Sequence, residues 1–159
     1  LDIRTDTRIE LGGTALSVCE VPGHTPGSVV VLDERSNRLF TGDAIGSGYG
    51  VWMQTPTAVP LETYYESLVH LLKWLVDRGG RMSFHGGHRY QMFQSTHVPS
   101  FNPPSLGLLC DLIDLVDQIV HGKIVGRISN VDNIMELEPV LYAAYGRAEI
   151  QYKASNIRI

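Results

Sequence analysis

Three short glycine-rich turns constrain this chain more than anything else in it. They are Val21-Pro22-Gly23-His24-Thr25-Pro26-Gly27-Ser28, Thr41-Gly42-Asp43 and His85-Gly86-Gly87-His88. Each follows a β-like run and carries an imidazole or a carboxylate, so each sets a possible metal ligand at a strand end. A ligating side chain needs a set direction, and a turn stiffened by Gly and Pro supplies it. His24 read alone is equally a surface turn residue. Asp43 read alone is an ordinary turn aspartate, although its two oxygens and negative charge also suit a bridge between two cations. His85 and His88 compete for one ligand position.

The runs between these turns predict an alternation of hairpins and helices. Arg8 to Leu11, Gly12-Gly13 and Thr14 to Val21 read as two strands around a two-glycine turn. Ser28 to Asp33 reads as a strand, Val-rich enough to be buried on both faces. Glu34 to Asn37 turns it into a returning strand, Arg38 to Thr41, which delivers Asp43 to a strand end. Pro60 to Asp77 has Leu61, Tyr64, Leu68, Leu71 and Leu75 at helical spacing and is stopped by Gly79-Gly80. Arg81 to Phe84 is a short strand entering the His85–His88 turn. Tyr90 to Pro104 is a polar, proline-bearing stretch. Ser105 to His121 is a second amphipathic helix ended by Gly122, and Glu149 to Tyr152 is a last strand.

Composition excludes several classes. The chain has 159 residues, 43% hydrophobic and 19% charged, which reads as one globular domain with a core of ordinary size. A net charge of −4 with no Lys/Arg cluster argues against nucleic acid as a partner. The apolar run from Leu106 to Val120 is broken by Asp111, Asp114 and Asp117, so no membrane span is expected. Cys19 and Cys110 lie in apolar runs and read as buried small hydrophobes rather than a disulfide, which fits a cytoplasmic location. A start at Leu1, without initiator Met or signal peptide, reads as a processed, truncated or partial polypeptide.

In this order and at these separations, the three turns resemble the third, fourth and fifth motifs of the metallo-β-lactamase superfamily, over about Arg8 to Arg89. The resemblance implies an α+β fold. The family's fold is an αββα sandwich of two similar halves. This chain would supply the C-terminal half, one mixed sheet covered by helices, as a single partial domain over 1–159. The face that meets the other half would then be apolar and would call for a partner, either a copy of itself or the missing N-terminal half. The family's most diagnostic motif, His-x-His-x-Asp-His, should lie upstream of His24, and no histidine stands there.

By the same resemblance, His24 completes a first metal site, Asp43 bridges and takes a catalytic role, and His88, within Gly86-Gly87-His88, serves a second site. His85 is left beside the metal or in the pocket, where such groups orient ligands, or as a histidine capping the strand end. Gly46-Ser47-Gly48-Tyr49-Gly50-Val51-Trp52-Met53 follows Asp43. Its Tyr49, Trp52 and Met53 form either a substrate-pocket wall or a loop closing over the core. His70 and His121 read as structural, and His97 as a loop residue.

The implied chemistry is that of a glyoxalase II-like hydrolase. Two zinc ions, or iron or manganese in their place, would provide a metal-bound hydroxide to attack an ester, thioester, lactone or amide of a small-molecule substrate. Two protein ligands per ion are too few for a zinc site. The chain by itself is therefore expected to bind metal weakly and to be inactive, its parent being the enzyme. The alternative is a non-catalytic half-domain that acts by self-association or with a partner chain.

Overall fold

The computed structural model describes residues 3–46, 50–87, 103–129 and 138–158. Strands β1 (Arg8–Glu10), β2 (Ala15–Glu20), β3 (Val29–Asp33) and β4 (Arg38–Gly42) run antiparallel in succession. With β6 (Ser83–Gly86), parallel to β4, they make a five-stranded sheet ordered β1-β2-β3-β4-β6. The hairpins follow from their turns. Gly12 sits at φ +75°, open to glycine at little cost, and Leu11 N donates to Thr14 O at 2.9 Å. In the β3–β4 turn one carboxylate does the folding. Asp33 accepts from the Thr14 and Ser36 hydroxyls and the Arg35 amide, which holds its pKa down to about 2.

Helix α1 (Leu61–Asp77) buries Leu61, Tyr64, Leu68, Leu71, Trp74 and Leu75. It stops where Gly79 and Gly80, both at positive φ, turn their amides back to Val76 O and Leu75 O. Helix α2 (Leu106–Val120) starts at Ser105, whose hydroxyl accepts from Leu108 N at 3.1 Å, and ends before Gly122 at φ +67°. It buries Leu108, Leu109, Leu112, Leu115, Val116 and Ile119. The two helices pack on each other, and α2 also packs on β8 and β9. Cys19, Val30, Leu32 and Leu39 of the first sheet join both helices in one core.

An α+β fold with mixed sheets is what forms, but with two sheets where one was expected. The second is ordered β5-β9-β8-β7, from β5 (Val51–Trp52), β7 (Arg127–Ile128), β8 (Leu141–Tyr145) and β9 (Ala148–Tyr152). β5 runs parallel to β9, and Gly50 is the residue that lets it approach. At φ +81°, any Cβ there would lie 2.5 Å from Glu149 O.

Three local expectations need correction. β3 is not buried on both faces. Val30 and Leu32 are buried while Val29, Val31 and Asp33 are half-buried, the alternation proper to a strand between antiparallel neighbours with α1 on one side. The strand expected over Arg81 to Phe84 runs instead over Ser83–Gly86, so His85 lies in a strand and not in a turn, because pairing with β4 continues to Gly86. Cys19 is buried as expected, but Cys110 is exposed, on the outer side of α2. Among the described residues, no helix is long and apolar enough to cross a membrane.

Candidate metal centre

Strand directions decide where the three turns lie. β2 and β4 flank the antiparallel β3 and so run the same way, and β6 is parallel to β4. The loops leaving β2, β4 and β6 therefore emerge at one end of the first sheet. The first two of these loops carry His24 and Asp43, and Gly87 follows β6. Gly42 stands opposite Gly86 in adjacent parallel strands, so the turn that carries Asp43 leaves the sheet beside the end of β6. His88 itself, like Tyr49 and His97, lies outside the described residues.

The His24 loop is braced by its own string. Val21 N donates to Ser28 O at 2.8 Å and closes it. Within it Thr25 and Ser28 exchange bonds: Thr25 N to Ser28 Oγ at 3.2 Å, Ser28 N to Thr25 O at 3.2 Å, and the two hydroxyls at 2.9 Å. Thr55 Oγ1 donates to His24 O at 3.2 Å from outside. The half-buried His24 ring is held at one nitrogen, with Nδ1 2.5 Å from Trp52 O. A carbonyl only accepts, so the Nδ1 proton makes this bond, and the neutral ring then presents its lone pair at Nε2. This is the arrangement that orients ligating histidines elsewhere, with a backbone carbonyl fixing tautomer and direction.

Asp43 is half-buried in a turn that Ala44 N closes on Thr41 O at 3.0 Å, entered through Gly42 at φ +50°. His85 makes contacts of its own. Its Nε2 is 3.2 Å from Ser83 Oγ and its ring is 5.5 Å from that of Phe40, while Thr41 Oγ1 donates to its carbonyl at 3.3 Å. Trp52 is partly exposed and offers its carbonyl to His24. Met53 is fully buried in the core, its amide donating to Gln151 O at 2.7 Å.

Two site features go beyond the sequence expectations. One is the Trp52 carbonyl, a backbone atom. The other is Tyr64, which reads only as an apolar helix position yet touches both loops. Its hydroxyl donates to Ala44 O at 2.8 Å, and its ring occupies the space a Cβ on Gly23 would need. The signal available was Gly23, the residue before His24, where only glycine leaves room.

The described donors suit a first-row metal in kind: an imidazole with its tautomer fixed, and a carboxylate. In number they do not close a site. Among the described residues, no group of three or more His, Cys, Asp or Glu side chains is placed to hold a metal.

A family model described as the metallo-beta-lactamase superfamily matches residues 2–89, more than half of the chain. No curated protein matches significantly. Similar solved structures include a metallo-beta-lactamase from Pontibacter korlensis, 21% identical at a TM-score of 0.49, over 71% of this chain and 46% of that one. ETHE1 from Myxococcus xanthus is 21% identical at 0.47, over 72% and 51%. An archaeal metallo-beta-lactamase superfamily protein from Sulfolobus tokodaii is 15% identical at 0.43, over 84% and 44%. The chain spans about half the length of these structures.

Proposed function

We propose that this chain, which belongs to the metallo-β-lactamase superfamily, contributes His24, Asp43 and His88 to the metal centre of a hydrolase acting on a small ester, thioester, lactone or amide. The observation that carries the proposal is the His24 ring, tied through Nδ1 to Trp52 O at the sheet end where the Asp43 turn also emerges. Zinc is the first metal expected, with iron or manganese as substitutes. Once bound, it would act as a Lewis acid and lower the pKa of water toward about 7, so that a nucleophile exists at neutral pH.

The chain's own residues have separable tasks. His24 would present Nε2 while Trp52 O keeps the proton on Nδ1. Asp43 brings charge and two oxygens to the same end, which a cation requires. Shared between two ions, His24, Asp43 and His88 give two ligands per ion where zinc takes three or four, so the 159-residue chain is expected to bind metal weakly and to turn over little substrate. Metal content by elemental analysis, beside a panel of thioester, lactone and β-lactam substrates, tests this. Weak metal uptake that His24→Ala abolishes supports it, and uptake indifferent to that substitution refutes it.

One observation favours a second reading. Phe40 is 45% exposed on the open face of the first sheet, where Val31 and His85 stand beside it in register. An apolar side chain there suits association with a second copy or with another chain. Light scattering over a concentration series decides it, a mass constant at 17.6 kDa telling against it.

A further inference from the structure

His24 and Asp43 belong to loops separated by the whole β3–β4 hairpin, and a metal centre needs the two held at one spacing. Hydrogen bonds within each loop fix its shape but not its position relative to the other. One side chain does reach both. Tyr64 is fully buried in the first turn of α1. Its ring lies against Gly23 so closely that a Cβ there would sit 2.5 Å from Cε2. Its hydroxyl, on the far side of the ring, donates to Ala44 O at 2.8 Å, immediately after Asp43. The helix that carries it is anchored to the same place, because Val59 N, just before α1, donates to Gly23 O at 3.0 Å.

We propose that Tyr64 is a positioning residue: ring against Gly23 and hydroxyl on Ala44, it sets the His24 loop and the Asp43 turn at one fixed separation. This rests on the metal-centre reading above for its purpose, but not for its geometry. A phenol suits the task because it is rigid, with a donor at one end and an apolar body between. Burial pushes its pKa well up, so the donor proton stays in place across the working range.

Two substitutions separate the halves of the contact. Tyr64→Phe keeps the ring and removes the hydroxyl, and Tyr64→Leu removes both. Site-resolved amide exchange on the metal-free chain reads the Ala44 amide, bonded to Thr41 O, and the Gly23 amide, bonded to Thr25 O at 3.1 Å. Tyr64→Phe should speed exchange at Ala44 about five-fold and leave Gly23 alone, as loss of one hydrogen bond implies. Tyr64→Leu should speed both. Cobalt(II) titration of the same proteins should show an affinity about ten-fold weaker in Tyr64→Phe. Ser105→Ala, which removes one cap bond from α2, serves as the control and should bind as the wild type does.

Exchange in Tyr64→Phe that rises nowhere, or equally at both amides, overturns the proposal. So does a cobalt affinity that Ser105→Ala lowers as much. A wild-type chain that takes up no cobalt defeats the metal reading instead, and the exchange pattern then decides the positioning claim by itself.

Discussion

The two helices are built alike and used differently. Both are amphipathic, both bury a leucine-rich stripe, and they pack on each other. Their first turns differ. α2 is closed by the Ser105 hydroxyl on Leu108 N, a local bond between neighbours in sequence. α1 begins at Pro60, which makes no side-chain cap bond, and its first turn instead grips two distant loops through Tyr64. A capped helix carries its own start with it. A helix pinned by long-range contacts ties its start to what it touches, and here that is the ligand-bearing end of the first sheet.

Substitutions that separate stability from site geometry would break or sharpen this contrast. Leu112→Ala empties a fully buried position on α2 and should cost about 2–5 kcal/mol in a urea titration, with the His24 ring signals unmoved. Gly23→Ala drives a methyl into the Tyr64 ring. It should cost about 1–3 kcal/mol and shift the His24 signals, because the damage begins at the site. Ser105→Ala should cost about 1 kcal/mol, again without a change at His24. If Leu112→Ala moved the His24 signals as far as Gly23→Ala does, the two helices would not be functionally distinct.

A pH dependence is expected as well, from the buried thiol of β2 and the phenol of α1. Burial raises the pKa of Tyr64 and pushes that of Cys19 up to about 11. A pKa raised in the folded state favours the protonated form there. The contribution is complete below the unfolded value, near 9 for the thiol, and fades as pH rises towards the folded value. Urea midpoints should therefore fall between pH 9 and 11, and fall less in Cys19→Ala. Equal slopes in the two proteins would remove Cys19 from the account.

What the sequence discloses follows the range of the interactions involved. Both helices are legible to within a residue or two, because Pro60, Gly79-Gly80, Ser105 and Gly122 mark their ends locally. The first four strands are legible for the same reason. The second sheet is legible only in β9, expected over Glu149 to Tyr152 and found over Ala148–Tyr152. β5 and β7 are two residues each, and β5 exists because Gly50 lets it lie against β9, about a hundred positions away. His85 looks like a turn residue because its Gly-Gly neighbours signal a turn, whereas parallel pairing with β4 keeps it in a strand. In the site, the string around His24 announces a shaped loop, and Thr25 and Ser28 do brace it. The Trp52 carbonyl and the Tyr64 contacts are long-range, and no local pattern encodes them.

The central claim is that His24 is held ready to ligate through Nε2. Long-range proton–nitrogen spectra of the histidine rings, recorded at pH 8 without and with zinc, test it most directly. The account predicts the proton on Nδ1 of His24 before metal and a zinc-induced shift at Nε2 after it. A proton on Nε2, or a His24 ring that zinc leaves unchanged, would contradict it.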